Sequence, residues 1–460
     1  MSAALFLTDL APDVIFSVFA CCDISSVVSA GQTCRYLHDL ALERSVWLGL
    51  LEDLRQRSIL DRTLNLETLS TAGMIGIVRR GITGPQTWNP GQLDSEPVAE
   101  VCKEITLHPC SDPGNPAFPP SAYMAKLLPS GRYVLLTDWT TLECWNVVED
   151  RLVWKHTSAV DSEHVRIVEF AAEETDIESA VIMICVRTHP PNGDRLNYVE
   201  MVRVDLQTGT HNSLLATRAP DSGFSNPFYH PVIFGALAAV KMINAGRDTY
   251  MIVNWRKRSH LILHVRPGTT LQILFIREHI MLMTCPLPRQ EQIHLISNKM
   301  LESYWAPTIG VDRAAKFSPV FVEDIPKRCT FEHTDGQPFH KMYIHQNPLR
   351  DDDYRVWIRG TKYAANLSCY RLSILTHGQP QLRLQRRSVV SGAMVHPVSY
   401  SGHSLGYCRA SGWTVVSPRS SKELGGAQLP FCKVEHADLA AYSGALIHST
   451  RSTIVIQYYR

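Results

Sequence analysis

From about residue 101 to the end, the chain is a succession of short β-rich runs separated by turn residues, and this recurrence limits the possible folds more than any other feature. Tyr133 to Thr137, Leu142 to Asn146 and Leu152 to Lys155 read as one antiparallel triplet, with Asp138 to Thr141 and Val148 to Arg151 as its turns. Similar groups follow: Val181 to Val186 with Tyr198 to Val204; Leu237 to Met242, Tyr250 to Asn254 and His260 to Val265; Leu271 to Phe275, His279 to Thr284 and Gln292 to Ile296. Tyr354 to Arg359 with Ser368 to Ile374, and Leu446 to His448 with Thr453 to Tyr459, complete the series. The groups recur about every 45–60 residues, the size of a propeller blade with long loops. A β-sandwich is the alternative, but one all-β domain of about 350 residues is accommodated more easily by radial repetition. The expected fold is therefore multidomain: a small all-α segment, then a large all-β domain read as a propeller of about seven blades. Because Thr453 to Tyr459 ends the chain, it is expected to pair with a strand formed before Tyr123, closing the ring and removing both sheet edges.

The first sixty residues carry a different period. Val14, Ile15, Val18 and Phe19 recur at helical spacing after Pro12, which suits a first helical position. Asp23 is expected to cap a second helix with Ile24, Val27 and Val28, ended by Gly31. A third runs from about Cys34 to Leu42, and Ser45 is expected to cap a fourth with Val46, Trp47, Leu50, Leu51 and Leu54 on one stripe. Such short helices must pack on one another or on a partner, because each alone buries too little area to offset nucleation. Leu64 to Arg80 gives one more helical pattern ending at Gly81, and Gly84 to Pro120 reads as an irregular connector docked through Trp88, Val98, Val101 and Ile105. The domain boundaries are 1–60, 61–100 and 101–460.

Charge and cysteine content exclude several classes of function. Lys plus Arg number 45 against 44 Asp plus Glu, a net charge of +1 that offers no field for phosphate polymers, so no nucleic-acid partner is expected. No apolar window approaches the roughly 18 residues of a membrane helix: Val232 to Val240 is too short, and Arg277, Glu278 and His279 interrupt Leu271 to Cys285. Asp9 and Asp13 lie within the first apolar stretch, which is unlike a secretory signal, and a soluble cytoplasmic or nuclear protein is expected. The 12 cysteines, from Cys21 to Cys432, form no C-x-x-C pair, and Cys34 with His38 lacks a partner pair, so neither a metal nor a cofactor is expected.

The segment from Leu10 to Trp47, LAPDVIFSVFACCDISSVVSAGQTCRYLHDLALERSVW, resembles an F-box. Pro12-Asp13 stands for the family's Pro-Glu start, and Val14, Ile15, Val18 and Phe19 for its first apolar face. Val27-Val28 stands for the Leu-Leu pair, Cys34-Arg35 for the Cys-Lys/Arg step, Leu37 for the next large apolar residue and Trp47 for the closing tryptophan. Leu10 falls one place before the usual leucine, and Cys22 and Thr33 replace apolar residues. The resemblance implies binding of a Skp-type adaptor and, through it, a cullin scaffold, with Leu10, Pro12, Val14, Ile15, Val18, Phe19, Val27, Val28, Cys34, Arg35, Leu37 and Trp47 as adaptor-binding residues. The layout is similar to that of fungal F-box proteins with a degenerate propeller, and the run Gly131 to Thr157, with Trp145 and Trp154, resembles a WD-repeat blade. The function expected is target recognition for an SCF-type ubiquitin ligase, with an unidentified protein substrate; a non-degradative F-box scaffold is the alternative.

Several strings in the sequence are enzyme-like by spelling. Gly402-His403-Ser404-Leu405-Gly406 spells G-x-S-x-G, but a nucleophile elbow needs a following helix, and the next residues, through a second glycine at 412, read as strand. A hydrolase using Ser404 with Asp438 and His448 is the distant alternative, and no catalytic residue is expected. Asp351 to Asp353 lacks the spacing of a calcium loop and reads as a solvated turn. His333, His340 and His345 form no metal-ligating pattern and read as surface or hydrogen-bonded core residues. Trp255 with Arg256, Lys257 and Arg258 reads as an exposed hairpin turn, and Asn366-Leu367-Ser368 as a glycosylation sequon by spelling alone.

Overall fold

The computed structural model describes residues 6–62, 64–88, 99–109, 124–160, 165–176, 178–188, 195–220, 227–244, 247–287, 290–308, 310, 318–333, 340–360, 364–374, 378–391, 398–408, 412–418, 426–428, 436–449 and 453–459. The N-terminal module holds α1 (Pro12–Ala20), α2 (Ile24–Gly31), α3 (Arg35–Ala41), α4 (Arg44–Gln56) and α5 (Thr71–Thr83). Pro12 occupies the first turn of α1, and Asp23 caps α2 by accepting a 2.7 Å bond from the Ser26 amide. Ser45 does not cap α4. The chain turns from α3 in two residues, and the Glu43 carbonyl already accepts from the amides of Val46 and Trp47, so the helix starts before the serine. The pattern from Leu64 to Arg80 is also divided: a turn at Leu66–Thr68 precedes α5, which Ser70 caps and which runs past Gly81 to Gly84, the residue with the left-handed φ of +76°.

The remaining strands form seven sheets. The N-terminal strand is β1 (Val101–Leu107). The first sheet is β2 (Met124–Leu127), β3 (Tyr133–Thr137), β4 (Leu142–Asn146) and β5 (Arg151–Lys155); the second is β6 (Val165–Glu174), β7 (Ser179–Thr188), β8 (Leu196–Asp205) and β9 (His211–Arg218). The third is β10 (Phe228–Phe234), β11 (Leu237–Asn244), β12 (Arg247–Asn254) and β13 (Ser259–His264). The fourth begins with β14 (Thr270–Ile276), β15 (His279–Leu287) and β16 (Gln290–Ser297). Two short strands, β17 (Ala306–Pro307) and β18 (Val320–Phe321), extend the third sheet at β13 before β19 (Cys329–His333) completes the fourth. The fifth is β20 (His340–Gln346), β21 (Asp353–Gly360), β22 (Ala364–Ser373) and β23 (Gln381–Ser391), and the sixth is β24 (Ser404–Cys408), β25 (Gly412–Val416) and β26 (Gly426–Gln428). The seventh joins β27 (His436–Leu439), β28 (Leu446–Ser449) and β29 (Ile454–Tyr459) to β1. Six sheets thus have four or more strands, and the sixth in chain order has three among the described residues. Seven blades are reached when that smaller sheet is counted.

These sheets close into a propeller. First strands of neighbouring blades touch one another, β6 with β10, β10 with β14, β14 with β20 and β2 with β27, so they surround the axis. Apolar clusters fill the junctions, for example Leu135 with Ile182 between blades 1 and 2 and Met183 with Val240 between 2 and 3. Met281 packs with Val356 between blades 4 and 5, Leu405 with Leu439 between 6 and 7, and Ile456 with Val134 between 7 and 1. A blade clamped on both sides has no solvent face. This explains why β7, SAVIMICVRT, is buried along its whole length and shows no alternation. The ring closes as expected: β1 pairs antiparallel with β29, from Val101 opposite Tyr459 to Leu107 opposite Ile454. Trp88 of the connector is fully buried between blades 6 and 7 against Leu405, Trp413 and Tyr459, while Val98 lies outside the described residues.

The helical module is docked on the turns that join the first and second strands of the blades. Arg57, at the end of α4, donates to Asp351 Oδ1 at 2.8 Å, to the Asn347 carbonyl at 2.8 Å and to Asp53 at 3.1 Å. The amide of Ser25 donates to the Leu349 carbonyl, and Arg62 donates to the carbonyls of Ser130 and Asp176. Gly131 has a φ of +70° there, and a Cβ on it would overlap the Asp61 carboxylate. The acidic triplet is an inter-strand turn whose Asp351 and Asp352 are exposed, as expected, but two of its carboxylates also have structural partners. Asp351 anchors the helices, and Asp353 is buried, accepting from Ser373 at 2.5 Å and pairing with Arg371 at 2.6 Å.

Candidate functional site

Helix packing divides the twelve residues of the helical motif into two sets. Ile15, Phe19, Val27, Leu37 and Trp47 are buried in the module's own core, with Leu51, Leu54 and Met74. Trp47 also donates its indole N–H to the Ala41 carbonyl at 2.9 Å, tying α4 to the end of α3. Leu10 is half-buried against the same core. Pro12, Val14, Val18, Val28, Cys34 and Arg35 face outward. Leu37 is thus occupied within the module, because α3 must bury it to close on α2, and it is not displayed for a partner.

What remains outward is apolar. Val14 is 46% exposed, and Val18 and Val28 are each 40% exposed. Among the described residues, the exposed large hydrophobics Phe6, Leu7, Val14, Val18, Val28, Tyr36 and Leu42 all fall in the first 42 positions, against Val148, Leu152, Phe234, Met300 and Leu384 in the rest. Val14 and Val18 are one turn apart and form a stripe on α1. Tyr36 bridges α3 to the start of α1 by donating to the Leu10 carbonyl at 3.3 Å. Single exposed hydrophobics are ordinary on a monomer, and among the described residues seven of the twelve fall on this module. A cleft of about 260 Å³ lies beside it, lined by Phe16, Cys22, Asp23, Val46, Leu50 and Asp351.

The remaining strings take structural positions. Ser404 opens β24, which turns back into β25, and Gly402 in the preceding turn has a φ of +93°. The strand–turn–helix of an elbow is not formed at this serine. His403 accepts or donates at 2.8 Å with Ser401, and the Ser404 hydroxyl is buried without a hydrogen-bond partner. His333 meets the Tyr370 hydroxyl at 2.6 Å, and His345 donates to the Val398 carbonyl at 2.6 Å, as expected of hydrogen-bonded core histidines; the side chain of His340 lies outside the described residues. Arg256, Lys257 and Arg258 occupy the β12–β13 hairpin turn, and Leu367 and Ser368 of the sequon are buried in β22. Among the described residues no group of three or more His, Cys, Asp or Glu side chains has the geometry of a metal site, and no helix is long and apolar enough to cross a membrane.

One group of charged residues did not stand out in the sequence. Lys126 on β2, His230 on β10, Lys241 on β11, Lys341 on β20 and Arg359 on β21 come from blades 1, 3 and 5 and act on one another inside the ring. Desolvation by the surrounding protein, reinforced by the ammonium groups of Lys341, Lys241 and Lys126, pushes the His230 imidazole down to about 4, although part of the residue is open to solvent. Burial likewise raises Asp438 to about 6, against the pull of Lys126. Charged residues inside otherwise apolar first strands, as in MAKL, were the signal available in sequence. Their convergence depends on knowing which strand of each blade is innermost.

No family model matches the chain, and no curated protein matches it. Among solved structures it is similar to the β-propeller domain of Cps50 (Swd1) from Myceliophteria thermophila, with 9% identity, coverage of 78% of this chain and 99% of that chain, and a TM-score of 0.48. It is also similar to the WD40 domain of SCAP from fission yeast, with 13% identity, coverage of 74% and 85%, and a TM-score of 0.38. On its own topology the chain is a β-propeller protein with an N-terminal helical module.

Proposed function

We propose that the chain is the target-recruiting subunit of an SCF-type ubiquitin ligase, binding a Skp-type adaptor through the outward face of α1 to α3 and a protein target through the propeller. The observation that carries this reading is the concentration of exposed Val14, Val18, Val28, Tyr36 and Leu42 on a module whose own core is already complete. The F-box resemblance supplies the partner's identity. The mechanism is proximity: the adaptor and cullin hold the chain near a charged ubiquitin-conjugating enzyme, and the bound target's lysines gain effective concentration. The contacts of Arg57, Arg62 and Ser25 support this by fixing the module's orientation on the propeller. Such a role belongs to the cytoplasm or nucleus.

The test is a pull-down of the full chain with purified adaptor and cullin. Recovery of all three supports the ligase reading, whereas recovery of adaptor without cullin favours a non-degradative scaffold. The chain itself is proposed to be non-catalytic. Ser404 lacks both a helix N-terminus and a base within hydrogen-bond reach, so a fluorophosphonate should leave it unlabelled. Stoichiometric labelling at Ser404 that disappears in His448→Ala would contradict this.

A further inference from the structure

A propeller blade presents the free edge of its outermost strand, and β23 differs from the other outer strands in length and charge. It runs for 11 residues, Gln381–Ser391, against 8 for β9 and 7 for β1, the next longest. Its sequence, QLRLQRRSVVS, holds three arginines and no carboxylate, whereas β1 carries both Lys103 and Glu104. Arg383, Gln385, Arg386 and Arg387 are exposed, and Leu384 is 50% exposed. β22 pairs with one edge of β23, and among the described residues no strand pairs with the other.

Pairing with β22 sorts these side chains. Arg383 lies opposite Arg371 and Arg386 opposite Cys369, two positions apart on β22, because a bulge leaves Gln385 without a counterpart. The bulge thus brings two guanidinium groups onto one face of β23. Leu384, opposite Tyr370, and Arg387, opposite Ser368, take the other face. The nearby Asp353 carboxylate is held by Arg371 at 2.6 Å and by Ser373 at 2.5 Å, and Arg383 donates instead to the neutral Gln381 amide oxygen at 2.6 Å.

Blade 3 shows that an outer edge of this propeller takes added strands. The edge of β13 is covered by β17, antiparallel at Ser259 and His260, and by β18, parallel at Leu263 and His264. Short extended segments are therefore accepted in either direction. Charged side chains and bulges also keep edge strands from pairing with their own kind. Two β23 edges side by side would set arginine against arginine, which disfavours a second copy of the chain, while a strand of opposite sign meets no such penalty.

We propose that the outer edge of β23 binds an extended acidic peptide of a partner protein as an added strand, with carboxylates at alternate positions facing Arg383 and Arg386 and an apolar residue between them beside Leu384. Main-chain amides and carbonyls supply the affinity of such a ladder, and the arginines select its charge. No residue of α1 to α5 enters the site, so the inference stands independently of the adaptor reading.

The experiment uses the full chain and a blocked, fluorescent octapeptide of alternating glutamate and valine, read by anisotropy. The controls are a lysine–valine octapeptide and the glutamate–valine peptide with every backbone amide N-methylated, which cannot donate to a ladder. The first should bind and the controls should not. Substituting Arg383→Glu together with Arg386→Glu should weaken binding at least tenfold and transfer it to the lysine–valine peptide, with the unfolding midpoint unchanged because both side chains are exposed. Absence of binding by the first peptide, or undiminished binding by the double variant, would overturn the proposal. Equal binding of the N-methylated peptide would also overturn it, as attraction without a ladder. So would dimers of the free chain that disappear in the double variant, since a second copy would then hold the edge.

Discussion

Arg57 and Asp351, 294 residues apart in sequence, meet at 2.8 Å, and this contact joins the last helical turn of α4 to the turn between β20 and β21. The same guanidinium also takes the Asn347 carbonyl and Asp53, and its side chain keeps only 15% of its exposure. Orientation of the helical module therefore rests in part on this largely buried guanidinium, alongside the contacts of Ser25 and Arg62.

Arg57→Ala should remove all three bonds and leave Asp351 and the Asn347 carbonyl without their partner. The expected cost is about 1–2 kcal/mol, because the guanidinium is largely buried while both carboxylates stay more than half exposed. Thermal unfolding should separate into two transitions, and limited proteolysis should cut between α4 and α5 sooner than in the wild type. A single unshifted transition would mean that other contacts carry the docking.

Ring closure predicts the effect of truncation. Removing the last ten residues deletes β29, leaving β1 without a partner and exposing the edge of β28. The truncated chain should aggregate, as measured by light scattering during mild heating. A monomer with the wild-type unfolding midpoint would contradict the closed ring.

Acid sensitivity follows from the buried histidines. Burial lowers His294, His345 and His448 to about 4 each. Their unfolded value is near 6.5, so the folded state disfavours their protonation, and their contribution to stability is complete above pH 6.5 and lost as pH falls towards 4. Between pH 7 and pH 5 each should cost about 1–2 kcal/mol, read from urea unfolding at the two values. His294→Gln should lose less stability over this interval than the wild type. An identical loss would show that His294 is not the titrating group.

The helices and the closing strand were legible because each depends on local pattern. Val14, Ile15, Val18 and Phe19 declare a helix by spacing, and the apolar run from Ile454 to Tyr459 ends the series with one edge on β28, so its other edge had to pair at a distance. The start of α4 was misread because a cap is chosen by where the backbone turns, and the two-residue link after α3 put that point at Glu43. Leu37 reads as an interface residue in the motif, yet packing of α3 on α2 buries it internally. Asp351 and the channel lysines were the least legible. Their environment is set by loops and registers from distant blades, as in Lys341 opposite Arg359, and no spacing rule reports that.

The most direct measurement is the affinity of the full chain for a purified Skp-type adaptor, wild type against Val28→Asp. Val28 is 40% exposed in the free chain, so the substitution should leave the unfolding free energy within about 0.5 kcal/mol of wild type. Buried at an interface, the new carboxylate would be desolvated without a partner. The account predicts a one-to-one complex for the wild type and at least a tenfold loss of affinity for Val28→Asp, with Leu42→Ser weaker than wild type by a smaller factor. Absence of a wild-type complex, or undiminished binding by Val28→Asp, would contradict it.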